Sequence, residues 1–153
     1  MALKAYIKIG KLTGESMKKP RADKGYSDLI SVSLGGTCNW DFSQEQQPTR
    51  LVTFGGVTVV KLINGGTPTL LIGMLKEKKT KEVDILIEDD QGNDFFEIKL
   101  SEEVRISSDT LSFGSEMHET ITFVGKVMEV KHLGKKQNDD IKWADIQQKG
   151  AEF

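Results

Sequence analysis

The sequence has 153 residues and a formal net charge of -2, with 21 lysines and arginines against 23 aspartates and glutamates. This length is typical of one domain, and the balanced charge argues against partners such as nucleic acid or an anionic membrane. Neither a secretory signal nor an apolar run of roughly 20 residues, the length that spans a bilayer, follows Met1. We therefore expect one soluble domain over residues 1–153, made in the cytoplasm, with no membrane insertion and with partners recognised through local shape.

The first segment has the alternating pattern of a β-strand. Ala5, Ile7 and Ile9 fall on one face of an extended chain, and Tyr6 and the lysines beside it fall on the other. The polar residues Gly14-Glu15-Ser16 then predict a turn. Glycine punctuation and a hydrophobic period of two continue along most of the chain, which favours a mainly β fold.

Two further strands are predicted on either side of a polar loop. The first is Leu29 to Leu34, where Gly35-Gly36 permits a bend or bulge, and the second is Leu51 to Ile63, whose apolar residues on both faces predict cover on both sides. The segment Trp40 to Arg50 begins with two aromatics and becomes rich in glutamine, so we expect a protruding loop. The basic segment Met17 to Lys24 is interpreted as a solvated loop rather than a phosphate-binding patch, because no aromatic residue is interleaved.

One short α-helix is predicted, over about Thr67 to Lys79. Thr67 is a good N-cap and Pro68 suits the first helical position, where its missing N–H costs nothing. The lysines between Lys76 and Lys79 would lie in the last turn, where cations favour the helix dipole. A stripe of apolar residues at helical spacing, interpreted as facing the core, is formed by Leu70, Leu71, Met74 and Leu75.

Three more strands follow the helix: Val83 to Glu88, Phe95 to Leu100, and Thr120 to His132. The first two are joined by turn residues and predict a hairpin. The acidic run across this turn resembles a calcium loop only in composition, and a solvated turn is the preferred interpretation. From about Gly134 the tail is polar, and its apolar residues fit a strand or a helix equally, so we expect it to be loosely packed or flexible.

No catalytic, cofactor or metal site is predicted. The sequence lacks the motifs of nucleophile elbows, phosphate loops and zinc proteases, and two histidines are too few for the usual metal clusters. Cys38 has no second thiol to pair with and is predicted to be a small buried or half-buried side chain. The neighbouring carboxylates Glu102 and Glu103, and the pair Glu116 and Glu119, are interpreted as solvated charges rather than acid/base pairs.

Four patterns, in order along the chain, resemble the Hcp family, the tube proteins of bacterial type VI secretion. They are the opening strand with its Gly-Glu-Ser turn, a Lys-x-x-Asn-x-x-Thr-Pro-x-Leu run into the helix, a strand that ends in paired serines, and a last strand that begins Glu-Thr-Ile-Thr-Phe. Tyr26 and Leu29 stand where the family usually has a histidine and a tryptophan, so the chain resembles a divergent member. The positions that carry the resemblance are Gly14, Glu15, Ser16, Lys61, Thr67, Pro68, Ser107, Ser108 and Glu119.

The resemblance implies a β-barrel of two packed antiparallel sheets with one short helix. It also implies a structural protein without cofactor, whose homo-hexameric rings stack into an inner tube. The tube is propelled from the bacterial cytoplasm to the outside, without a signal peptide, with sheath, spike and effector proteins as partners. The segment that resembles the family's extended loop is a candidate surface for ring stacking, with anchors and polar contacts from Trp40, Phe42, Gln44, Gln47 and Arg50.

Three alternatives stay open at this point. Trp40 and Phe42 are equally consistent with a place in the barrel core. A tail-tube protein of a phage or phage-derived contractile particle would share fold and assembly with the secretion protein. A monomeric ligand-binding β-barrel would instead require an apolar cavity.

Overall fold

The computed structural model describes residues 4–12, 25–43, 49–134 and 137–142. The described residues form a mainly β domain with one short helix, as predicted. The predicted Gly14-Glu15-Ser16 turn and the basic segment 17–24 lie outside the described residues. The elements are β1 (Ala5–Ile9), β2 (Ser27–Leu29), β3 (Ser31–Asp41), β4 (Thr49–Leu62), α1 (Thr67–Leu75), β5 (Thr80–Glu88), β6 (Asp94–Ser112), β7 (His118–Val124), β8 (Val127–His132) and β9 (Gln137–Lys142).

The strands wrap around one core in the order β2-β1-β5-β6-β7-β4-β3, and all recorded pairings are antiparallel. Only Ile30 separates β2 from β3, and its N–H donates to the Val60 carbonyl at 2.7 Å. The two ends of the strand order therefore lie side by side, and the sheet curls back on itself. The first sheet holds β2, β1, β5, the start of β6, β8 and β9; the second sheet holds the end of β6, β7, β4 and β3.

Strand β6 belongs to both sheets. Its first part pairs with β5 and β8, and residues 105–112 pair with β7. Between these parts Glu102 and Glu103 have φ values of 59° and 56°, a conformation that bends the strand. The Glu103 carboxylate accepts from Lys79 Nζ at 3.1 Å and Lys126 Nζ at 2.7 Å, and these bonds lower the pKa of Glu103 to about 2. Two cations therefore hold the bend in place.

The core lies between the two sheets and is closed by the helix. Alternate residues along the strands point inward, as the period of two predicts, and Leu70 of α1 packs onto them. The main buried apolar side chains are Ala5, Ile7, Leu29, Val57, Val59, Leu70, Val83, Ile85, Ile98, Leu100, Val104, Ile121 and Phe123.

The predicted helix is one turn too long. The helix begins at Thr67 and ends at Leu75. Its N-cap is Gly66, not Thr67 as predicted. Glu77 has a φ of 56°, and the Lys78 N–H donates back to the Gly73 carbonyl at 2.8 Å, a closure that ends a helix. The lysines predicted for the last turn therefore follow the helix. The predicted core stripe is wrong at Leu75, which is 68% exposed.

Several strand boundaries also differ from the prediction. Leu29 to Leu34 is divided at Ile30, where the chain passes from the first sheet to the second, and β3 then continues to Asp41. The predicted loop is strand at both ends, where Trp40 pairs with Arg50 and Asp41 with Thr49 across the hairpin, and residues 44–48 of it lie outside the described residues. The predicted strand 120–132 is divided at residues 125–126 into β7 and β8, which join different sheets.

Strand β4 is fully covered on one side and only partly on the other, whereas the prediction was cover on both sides. Val57 and Val59 are fully buried, whereas Val60 is half-buried and Leu62 is 60% exposed on the opposite face. The bulge predicted at Gly35-Gly36 is confirmed by a shift of register there. The hairpin of β5 and β6 is also confirmed, and its turn is closed by Asp89 Oδ1, which accepts from two backbone N–H groups at 2.9 Å.

Candidate assembly surface and buried polar cluster

The β3–β4 hairpin extends beyond the sheet that carries it. Residues 57–62 of β4 pair with β7, but residues 49–54 pair, among the described residues, only with β3. We call residues 36–41 and 49–54 the ribbon. An isolated two-stranded hairpin is at best marginally stable in water. A ribbon of this length is therefore an element that gains stability from a surface outside its own sheet.

Large apolar side chains are exposed at the end of the ribbon. Trp40 is 51% exposed, Phe42 is 74% exposed and Leu51 is 65% exposed. The rings of Trp40 and Phe42 stack with centroids 6.2 Å apart, and the Arg50 guanidinium lies 5.9 Å from the Trp40 ring centroid. The alternative that Trp40 and Phe42 belong to the barrel core is therefore wrong. We call residues 40–42 and 50–51 the tip.

The tip also carries a fixed negative charge. Asp41 Oδ1 accepts from the Ser43 N–H at 2.9 Å and from the Ser43 hydroxyl at 2.6 Å. These two hydrogen bonds lower the pKa of Asp41, so the carboxylate stays ionised at neutral pH. The other two predicted loop residues, Gln44 and Gln47, lie outside the described residues.

A second group of predicted positions meets inside the protein. Lys61 on β4 and Glu119 on β7 pair directly across the strands, with Nζ and Oε1 2.7 Å apart and side chains only 2% and 0% exposed. Thr67 at the start of α1 donates its hydroxyl to the same Oε1 at 2.7 Å. Lys61 Nζ also donates to Asn64 Oδ1 at 3.1 Å. We call these four residues, with Asp109, the polar cluster.

Asp109 is the member that sequence reasoning missed. Simple alternation from Val104 would point Ser108 inward, but the register of β6 shifts between Ile106 and Ser108 and turns Asp109 to the core instead. There it is a diagonal neighbour of Glu119. A bulge of this kind leaves no sign in the hydrophobic pattern, so the sequence holds no signal that would have found this residue.

Asp109 and Glu119 are neighbouring buried carboxyl groups. Neither Asp109 oxygen nor Glu119 Oε2 has a hydrogen-bond donor among the described groups. Burial and the adjacent Glu119 raise the pKa of Asp109 to about 8, so its carboxyl is protonated at neutral pH. A protonated Asp109 carries a hydroxyl that can donate to the adjacent Glu119 carboxylate. The interpretation of Glu119 as a solvated charge is therefore wrong.

The polar cluster holds the helix onto the second sheet. The Thr67 hydroxyl accepts from the Asn64 N–H at 3.0 Å while it donates to Glu119, and the Asn64 amide oxygen accepts from the Gly66 N–H at 3.0 Å. Pro68 follows as an exposed residue of the first helical turn. These contacts fix the path of the chain from β4 to α1, so this motif is structural.

The remaining predicted residues lie on the surface. Ser107 and Ser108 are exposed on β6, where Ser107 marks the bulge and donates its hydroxyl to the Thr122 carbonyl at 3.3 Å. Cys38 is exposed on β3, which contradicts the predicted buried or half-buried position. It is exposed because it lies in the ribbon, outside the barrel.

The described residues also bear on two other classes of protein, those that hold metal ions and those that span membranes. They contain no group of three or more histidine, cysteine, aspartate or glutamate side chains placed to hold a metal ion. Within the same residues, no helix has the length and apolar character that crossing a membrane requires.

One known family matches most of the chain. The family described as "Type VI secretion system effector, Hcp" matches residues 6–132. No curated protein matches the chain.

Solved structures give the same fold. Hcp1 of E. coli EAEC 042, in a mutant form, superposes with a TM-score of 0.76 at 11% identity and covers 94% of this chain and 99% of its own. Hcp1 from Salmonella typhimurium gives 0.76 at 11% identity, with 94% and 97% covered. A type VI secretion system effector from Yersinia pestis gives 0.65 at 20% identity, with 91% and 98% covered. At these identities the likeness concerns the fold, and the family match over residues 6–132 shows that the chain belongs to the Hcp family, the structural tube proteins of type VI secretion.

Proposed function

We propose that this protein is the protomer of a type VI secretion tube, and that it forms hexameric rings which stack through the ribbon. The observation that carries the proposal is the ribbon itself. It extends past the strand that supports β4, and it presents two stacked aromatic rings to solvent. A monomeric protein gains nothing from exposing such a patch, whereas an assembling one buries it.

Ring formation follows from the kind of contact that the protomer can make. Identical head-to-tail contacts close into a ring when the rotation between neighbours divides the circle. The outer strands β3 and β9 each have, among the described strands, one paired neighbour. A neighbouring protomer that covers these edges removes unpaired backbone groups from solvent.

Stacking requires a second contact, distinct from the one that closes the ring, between complementary surfaces on the two faces of the ring. The tip combines aromatic rings, an arginine and an ionised aspartate, a composition typical of residues that dominate binding energy at interfaces. Sheath, spike and effector proteins are the further partners that this role implies. The role also implies passage of the protein with its cargo to the outside of the bacterium, and we propose that residues 1–153 act there as one tube domain.

The first experiment is light scattering on a sizing column with negative-stain images of the peak. A hexameric ring is the expected result, because the proposal makes the ring the working unit. A monomer over a wide range of concentration would overturn the proposal.

The role of the tip is tested with Phe42→Ala and Arg50→Ala. Phe42 is exposed and Arg50 half-buried, and neither belongs to the core cluster. We therefore expect rings to form normally while their stacking weakens about tenfold or more, equivalent to about 1.4 kcal/mol. Stacking is measured by sedimentation over a concentration series.

The matched control is Leu75→Ala, which truncates another exposed apolar side chain, 68% exposed, on the helix. It should leave stacking unchanged. Stacking of both tip variants at the level of the natural protein would show that the tip has no part in assembly.

A further inference from the structure

A mostly apolar groove lies between the base of the ribbon and the strands β8 and β9. Its volume is about 320 Å³. Pockets of about 300–1,000 Å³ are the usual size for bound groups, so this groove can receive a bulky side chain. Its apolar walls include Leu34, Val52, Phe54, Met128 and Ile141. We call it the ribbon groove.

The ribbon groove is an open continuation of the core. Phe54 and Met128 line the groove and also pack against the buried core cluster. Leu34 and Ile141 at its margin are 37% and 39% exposed. Apolar surface of this kind is normally covered by another segment or by a partner.

The chain leaves β9 directly at the ribbon groove. Lys142, the last residue of β9, pairs with Val127 at the start of β8. The preceding residues, Gly125 and Lys126, line the groove. Residues 143–153 follow in the sequence and lie outside the described residues. The segment 143–153 therefore starts where the groove is open.

The first residue of this segment has the side chain that the groove lacks. Ile141 lines the groove, and in an extended chain Trp143 falls on the same face, about 7 Å further on. A tryptophan ring buries more apolar surface than an aliphatic side chain does. The register of β9 thus directs an aromatic ring toward the apolar recess.

We infer that the segment 143–153 of the same chain covers the ribbon groove, with the Trp143 ring against Phe54 and Met128. The groove is joined to Trp143 by a tether of two residues from Ile141, and such a tether gives a higher effective concentration than a second copy reaches in solution. The contact fixes the base of the ribbon on the barrel. It lies within one protomer, so it does not depend on the proposed rings.

The reactivity of Cys38 tests this cover. Cys38 lines the groove and is the single cysteine of the chain, so its rate of reaction with a maleimide reports access to the groove. Trp143→Ala should raise this rate about tenfold or more, because burial of a large apolar side chain is lost. Phe153→Ala is the matched control, since it truncates an aromatic side chain at the other end of the same segment, and it should leave the rate unchanged.

The rates are compared over a dilution series. Equal rates for the natural protein and Trp143→Ala at every dilution would overturn the inference. A rate difference that disappears on dilution would also overturn it, because the cover would then come from another copy.

Cross-linking identifies the chain that supplies the segment. Asp145→Cys adds one thiol, and a short bismaleimide can join it to Cys38. The expected product has the mass of one chain under denaturing conditions. A linked dimer as the main product would assign the cover to a second copy.

A change in the groove itself gives an independent measurement. In a Trp40→Phe background Trp143 is the single tryptophan, and acrylamide quenching of its fluorescence reports its exposure. Val52→Arg places a charge in the apolar groove, so we expect quenching to rise about twofold or more. Asn39→Arg, at an exposed ribbon residue that does not line the groove, should leave quenching unchanged. Equal quenching in these two variants would exclude the groove as the docking surface of Trp143.

Discussion

At the scale of single residues, the polar cluster is unusual because it buries a lysine and two carboxyl groups together. Lys61 and Glu119 are almost completely buried, and Asp109 lies beside them. The desolvation of a buried ion pair often cancels its attraction, so such a pair is weak support for stability. The hydrogen bonds to Thr67 and Asn64 point to a different use, which is to hold the start of the helix in one position.

The raised pKa of Asp109 gives a prediction for the pH dependence of stability. An unfolded aspartate titrates near 3.9, whereas the folded group has a pKa of about 8. Between these values the folded state keeps a proton that the unfolded state has lost, so this group makes the free energy of unfolding fall as the pH rises. The fall in the free energy of unfolding begins at about pH 4 and levels off above about pH 8.

Asp109→Asn replaces the protonated carboxyl with an amide that donates similarly. We therefore expect the free energy of unfolding of this variant to lack the fall, and the variant to be the more stable protein above pH 7.

Urea unfolding of both proteins across this pH range, at one protein concentration, measures the difference. Asp84, whose pKa is raised mainly by burial, also contributes to the pH dependence of stability. Because Asp84 is unchanged in the variant, its contribution is the same in both proteins and drops out of the difference. Parallel pH profiles for the two proteins would mean that Asp109 is ionised in the folded state.

At the scale of elements, the sequence predicts those features that depend on the alternation of apolar residues or on turn-forming residues. The inward face of β1, the bulge at Gly35-Gly36 and the β5–β6 hairpin all follow from local patterns. The sequence does not predict the end of α1, because Glu77 in the left-handed region stops it without a glycine. It also predicts the polar cluster only in part, because Lys61, Thr67 and Glu119 belong to a motif whereas Asp109 depends on a bulge.

The ribbon depends on Gly56, which lies where β4 leaves its pairing with β7. Gly56 has a φ of 92°, and a Cβ at this position would collide with the backbone carbonyl oxygen of Phe123. Neither the conformation nor the collision is relieved by a side-chain movement. We expect Gly56→Ala to lower the free energy of unfolding by about 3 kcal/mol or more.

Gly35→Ala is the matched control for this substitution. Gly35 lies on the paired strand, and a Cβ there meets nothing within 4 Å. We expect a change within about 0.5 kcal/mol in urea unfolding. Equal losses in the free energy of unfolding for the two variants would show that position 56 does not need a glycine, either for its positive φ or for the close approach of β7.

At the scale of the whole molecule, β6 links the two sheets mechanically. It has 19 residues, and its two parts pair with different sheets around the bend at Glu102 and Glu103. Core residues from both sheets, such as Ile98 and Phe123, pack in one cluster. Separating the sheets would therefore require breaking both this cluster and the course of β6.

We accordingly expect the protomer to unfold as one cooperative unit, in agreement with the proposed single domain. Small single domains usually unfold in one step, and the deepest amides then exchange through global unfolding. In hydrogen exchange under mildly denaturing conditions, the slowest amides of β5 in the first sheet and β7 in the second should give the same opening free energy and the same dependence on urea.

The ribbon should exchange faster, because residues 49–54 have no second strand beside them among the described residues. Two different opening free energies for β5 and β7 would divide the domain at the bend of β6, and protection of the ribbon that rises only on stacking would connect this local instability to assembly.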